Sequence, residues 1–184
     1  MRKEQIQERE DALSRLENLD EMVHLYSDAS NTTKFSAGYI KALNEKEILL
    51  AHISPYGKYD GYMVKQRKDI YCVETGGKYA VKLEKLHMLE NKKHEVINIE
   101  SLSLFKSLLD FAKEKNKIVS IELLESDLDD IVGYVKWIDN EMAEIKLVDE
   151  YGEAEGKSLI YIKDISYIVC DSENEIMLKC LSEL

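Results

Sequence analysis

The 184-residue chain contains one proline, eight glycines and three cysteines. Each scarcity excludes something. No apolar run approaches the roughly 18 residues of a membrane-spanning helix. The first ten residues, MRKEQIQERE, are charged and hold no signal-peptide apolar core. Together these point to a cytosolic protein with no membrane association. Cys72, Cys170 and Cys180 form no CxxC, and their odd number argues against a disulfide framework. They are expected as reduced thiols packed in strands. His24, His52, His87 and His94 are scattered without metal-ligand spacing. No GxSxG elbow, P-loop or dinucleotide fingerprint occurs. Nothing marks a catalytic residue, a metal site or a cofactor, so the sequence predicts a protein that is not an enzyme.

What is present is a repeat. Residues 38–69 (GYIKALNEKEILLAHISPYGKYDGYMVKQRKD) align without a gap on residues 133–164 (GYVKWIDNEMAEIKLVDEYGEAEGKSLIYIKD) at an offset of 95. Gly38 falls on Gly133, Tyr56-Gly57 on Tyr151-Gly152, Gly61 on Gly156 and Lys68-Asp69-Ile70 on Lys163-Asp164-Ile165. A module written twice sets the architecture. We divide the chain into a first repeat, 1–90, and a second, 91–184. Units this small bury little core alone, so they are expected to lean on each other.

Charge is unequally shared. Residues 117–184 carry 6 basic and 17 acidic side chains, a surplus of 11 that equals the net charge of the whole chain. That part is a poor surface for nucleic acid, whose phosphates need Lys and Arg. The asymmetry also suits self-association, an acidic module meeting a milder one.

Apolar spacing predicts a helix over 4–20 and a stronger one over 99–115, with Asn98 as N-cap. In the first repeat, alternation and turn residues predict strands over 23–27, 35–43, 47–54, 62–73 and 79–86. Thr75-Gly76-Gly77-Lys78 reads as a hairpin turn. In the second, strands are expected over 117–124, 132–138, 142–148, 159–169 and 175–180, with turns at 126–130 and 171–174. Gly38 and Gly133 inside strands mark a bulge or bend that belongs to the module.

A helix followed by five short strands, the second bent at a glycine, resembles the Sm-like (LSm) fold. Gly133, Asp139 and Met142 match that family's first motif, with Ala143 where an Asn is usual. In repeat one the match is Gly38, with Asn44, Glu47 and Ile48 at the other places. The second motif, a basic-Gly turn before the last strand, is met loosely by Gly76-Gly77-Lys78. The resemblance implies two small, bent β-barrels in tandem, each an N-terminal helix and five antiparallel strands. It implies an interaction or assembly module whose strand edges pair, with self-association or a protein partner. Single-stranded RNA on the more basic first repeat is the alternative. Its RNA-facing residues would be Asn44, Lys46, Arg67, Lys68, Gly77 and Lys78. The missing Asn and the acidic second repeat count against it.

Other patterns carry less. The Tyr-Gly-x-x-x-Gly loops offer Tyr56 and Tyr151 as ligand-loop candidates, although the glycines alone explain the motif as a turn. Lys58, Lys65, Arg67, Lys68, Lys78, Lys82 and Lys85 interleave with Tyr59, Tyr62, Tyr71 and Tyr79. Such a mixture suits single-stranded nucleic acid or merely a solvated strand face. Asp149, Glu150, Glu153 and Glu155 lack the spacing of a calcium loop.

Overall fold

A computed structural model describes residues 21–99, 101–124 and 130–183. The expected helix over 4–20 and the turn residues 126–129 lie outside them. The described chain is mainly β, with ten antiparallel strands in one sheet and three α-helices among the described residues. In chain order these are β1 (Val23–Tyr26), β2 (Ser36–Leu43), β3 (Glu47–Ile53), β4 (Tyr59–Gln66), β5 (Cys72–Thr75) and α1 (Lys78–Met88). Then come α2 (Leu104–Glu114), β6 (Ile118–Leu123), β7 (Ile131–Ile138), β8 (Met142–Val148), β9 (Ala154–Tyr161), β10 (Ile165–Cys170) and α3 (Glu173–Ser182).

The repeat holds to the residue. Adding 95 to the bounds of β2, β3 and β4 gives those of β7, β8 and β9. A short 3-10 turn at Arg67–Asp69 recurs at Ile162–Asp164. Gly38 and Gly133 sit where a neighbouring strand comes close. A Cβ there would lie 2.1 Å from the Ala51 carbonyl oxygen and 2.0 Å from that of Lys146. The register slips just beyond each glycine, between Ile40 and Ala42 and between Val135 and Trp137. Glycine lets the strands approach and the bulge bends them.

Several strand expectations are corrected. Residues 62–73 and 159–169 do not run as single strands; each is broken by the 3-10 turn. Residues 79–86 and 175–180 are helical, in α1 and α3. Both segments are short enough for their alternation to suit a strand or a helix. Leu83 at 0% and Ala80 at 2% exposure show the three-residue spacing that buries one helical face. Thr75 to Lys78 is therefore a strand-to-helix passage with Gly77 as N-cap, not a hairpin turn. It follows the last strand of its repeat rather than preceding it, so it is no counterpart of the family's basic turn. Residues 171–174 likewise lead into α3, where Ser172 and Glu175 form a capping box. The second predicted helix starts late, at Leu104 behind Ser103, rather than behind Asn98. Cys180 lies on α3 and is exposed, Cys72 is exposed on β5, and only Cys170 is buried in a strand.

The strand order is β5-β1-β2-β3-β4-β10-β6-β7-β8-β9. Each repeat contributes five neighbours in the same internal order. The seam is β4 against β10, with Val64 opposite Ile168 and Met63 opposite Val169. The expected pair of barrels is thus one continuous sheet that does not close. One core lies across the seam. There α2 buries Leu104, Phe105, Leu108 and Leu109 against Leu49, Tyr62 and Val64 of repeat one and Val119, Ile145 and Ile168 of repeat two. A second core, with Val23, Leu25, Ile48, Leu50 and Ile70, fills repeat one. No described helix is long and apolar enough to cross a membrane.

Candidate functional site

The seam opens at one end into a recess of about 690 Å³, with Lys46, Lys68, Phe105, Tyr161 and Lys163 in its wall. Two of the six RNA-facing candidates, Lys46 and Lys68, line it. Asn44 and Arg67, beside them in the chain, serve the fold. Asn44 turns β2 into β3: its Oδ1 accepts from the amides of Lys46 (2.8 Å) and Glu47 (2.7 Å). Its Nδ2 donates to the Leu102 carbonyl at 2.9 Å. Asp139 does the same for Glu141 and Met142 in repeat two. Arg67 is buried at 7% exposure, and its guanidinium donates to the Asn44 carbonyl at 2.6 Å.

Glu47 is also occupied. Its carboxylate accepts from the Leu104 amide and from Ser103 Oγ, so a strand of repeat one caps the helix of repeat two. Gln66 donates to the Ile165 carbonyl at 2.8 Å. Lys46, Lys68 and Lys163 then face Glu45, Glu47 and Glu141, three charges against three. The recess is polar and near neutral, with an exposed tyrosine ring at Tyr161 (48%).

The other two candidates, Gly77 and Lys78, lie at a different place, a recess of about 740 Å³ on the outer side of β1 and β5. His24, Tyr26, Phe35 and Tyr79 line it. His24 stacks on Phe35 with centroids 4.4 Å apart, and Phe35 meets Tyr79 edge-on at 5.7 Å. Tyr26 donates to Glu74 at 2.8 Å, and this bond pushes its phenol up to about 12. His24 is 5% exposed and its Nε2 has no hydrogen-bond partner. Burial holds this imidazole below its usual range, against the pull of Glu74. The sequence carried a signal for this cluster in the outward alternation of His24 and Tyr26. The strand expected over 79–86 separates Tyr79 from that pair, and its helical course in α1 brings it back.

A smaller recess, about 260 Å³, occupies the corresponding place on repeat two. His52 Nδ1 and Asp60 Oδ2 pair there at 3.0 Å. Burial works against the Asp60 charge, but the His52 bond and the Glu173 amide hold its carboxyl below the usual range. Ser120 donates to Glu175 at 2.6 Å.

The loop tyrosines Tyr56 and Tyr151 are exposed at 76% and 69% and line neither recess. Gly57 and Gly152 supply φ of 76° and 83°, the turn conformation the motif requires. The basic–aromatic region disperses: Tyr62 and Arg67 are buried, and Lys78, Lys82 and Lys85 ride on α1. The Asp149 carboxylate is taken by the amides of Tyr151 and Glu153. Among the described residues no three His, Cys, Asp or Glu side chains converge as metal ligands. The chain matches no protein-family model, no curated protein and no solved structure.

Proposed function

We propose that this chain is a non-enzymatic, tandem Sm-like protein that works as an assembly module, joining copies of itself or a protein partner through its strand edges. The observation that carries this reading is the seam. Inside the chain, β4 of one repeat already pairs with β10 of the next over an apolar contact. The counterparts of those two strands, β9 and β5, form the two ends of the sheet. Among the described residues neither has a second strand partner. An edge of this kind invites pairing. Leu159 on β9 is 59% exposed, whereas its counterpart Val64 at the seam is 0% exposed. Sedimentation across a wide concentration range tests the reading. The mass should rise with concentration, and Leu159→Lys should hold the protein monomeric. A wild-type monomer at every concentration, with no protein partner captured, would overturn it.

Single-stranded RNA at the seam recess is the second reading. The convergence of Lys46, Lys68 and Lys163 beside the exposed Tyr161 ring favours it. Binding of labelled RNA to nuclease-treated protein should then weaken with salt and be lost in Lys68→Glu. No binding at low salt removes it.

A further inference from the structure

The aromatic recess of repeat one and the small recess of repeat two are the same place in the module. His24 lies opposite Ala37 in the ladder as Ser120 lies opposite Val132, and Ala37 and Val132 are 95 apart. At the same offset Gly77 stands for Ser172, Lys78 for Glu173, Tyr79 for Asn174 and Ala80 for Glu175.

The two places differ in how they are finished. In repeat two the recess is closed by His52, Asp60 and Met63, which come from repeat one across the seam. Asp60 Oδ1 accepts from the Glu173 amide at 2.9 Å, at the start of α3. That helix also has its own capping box and acidic first turn. In repeat one nothing described plays these parts. The start of α1 has no side-chain cap and no acidic residue in its first turn. His24 Nε2 is buried without a partner, and no second strand lies along β5 among the described residues.

The seam also says what would complete it. Moving each strand of the seam by one repeat places β9 antiparallel on β5, with Ser158 opposite Glu74 and Leu159 opposite Val73. The counterpart of Asp60 is Glu155 and that of His52 is Leu147. Glu155 then meets the uncapped amides of α1 and the ammonium of Lys78, where a carboxylate is favoured. Leu147 meets the rings, and the Ser158 hydroxyl reaches the Glu74 carboxylate. One charge pair supports the fit, Glu155 of β9 against Lys78 of α1, while β9 as a whole carries one acidic and one basic residue.

We propose that the aromatic recess of repeat one is half of a docking site, completed by β9 and Glu155 of a second copy of this chain. This rests on the assembly reading and gives it a polarity: the second repeat of one copy seats on the first repeat of the next. Contacts of this head-to-tail kind propagate unless the geometry closes them.

The test uses the full chain and two variants with opposite lesions. Glu155→Lys spoils the β9 end and leaves the recess intact. Tyr79→Ala spoils the recess and leaves β9 intact. Both residues are exposed, and unchanged circular dichroism and melting confirm folding. Each variant alone should associate about tenfold more weakly than wild type at low salt. Mixed together, they should form a dimer of one copy of each, because each supplies the end the other lacks. If wild type associates while both variants match it, or if the mixture forms no dimer, the docking site is overturned and edge assembly stands. If wild type never associates, both fall.

Discussion

Gly38 decides the stability of repeat one at the scale of a single atom. A Cβ at this position would meet the Ala51 carbonyl oxygen, backbone that cannot step aside. Gly38→Ala should cost about 3 kcal/mol in urea unfolding. Gly77→Ala is the control: nothing lies within 4 Å of the added atom, so it should cost no more than about 1 kcal/mol, the loss from an Ala at a helix N-cap. His94 acts through its proton. Burial pushes its imidazole down from 6.5 to about 4, against the hydrogen bond to the Gly61 carbonyl, with His87 and Lys41 adding to the fall. Between those two values the unfolded chain takes up a proton that the folded chain refuses. The contribution of this group is therefore complete above pH 6.5 and is lost as pH falls towards 4. Wild type should lose about 1–2 kcal/mol from this source between pH 7.5 and 4.5, allowing for partial solvent exposure. His94→Gln should flatten that dependence in the same titration.

Among the elements, α2 binds the repeats together. Most of its apolar stripe was plain in the sequence: Phe105, Leu108, Leu109 and Ala112 recur at helical spacing and are buried, whereas Leu102, which the same spacing adds, stands exposed before the helix. Its N-terminal partner was not. Glu47 lies 57 residues away and caps the helix only because the sheet carries β3 beneath it. Glu47→Ala should lower stability by about 1–2 kcal/mol, since the Leu104 amide and the Ser103 hydroxyl lose their acceptor. The effect should appear in equilibrium unfolding without loss of the sheet in circular dichroism. The helices α1 and α3 show the opposite failure. Their alternating apolar residues satisfy a strand pattern over six or eight residues as well as a helical one. What settles them is packing: Leu83 and Ala80 share a buried face, and Glu175 joins the Ser172 cap. The candidate Lys78 moved with α1, away from Lys46 and Lys68.

Over the whole molecule, one seam explains both the architecture and the proposed assembly. Val64 and Ile168 meet under α2 with no exposed surface, so each repeat finishes its core with residues of the other. A unit of about 90 residues gains from such sharing. The ends of the sheet carry the same two strand types without that closure. Glu155 of β9 stands at one end and the lysines of α1 at the other. Attraction between unlike ends favours a chain of copies in one direction over pairing of like ends.

The repeat, its 95-residue period and the bend at Gly38 and Gly133 were determined by the sequence alone, since local chemistry and self-similarity fix them without reference to distant residues. The turn roles of Gly57 and Gly152 were equally local. Tertiary structure alone decided that the repeats share one sheet, because the β4–β10 ladder joins residues about a hundred positions apart and no periodicity records such a pairing. It also decided that Asn44 and Arg67 are spent on turns while His24, Tyr26, Phe35 and Tyr79 gather. Which polar groups are satisfied and which rings meet depends on where the backbone brings them.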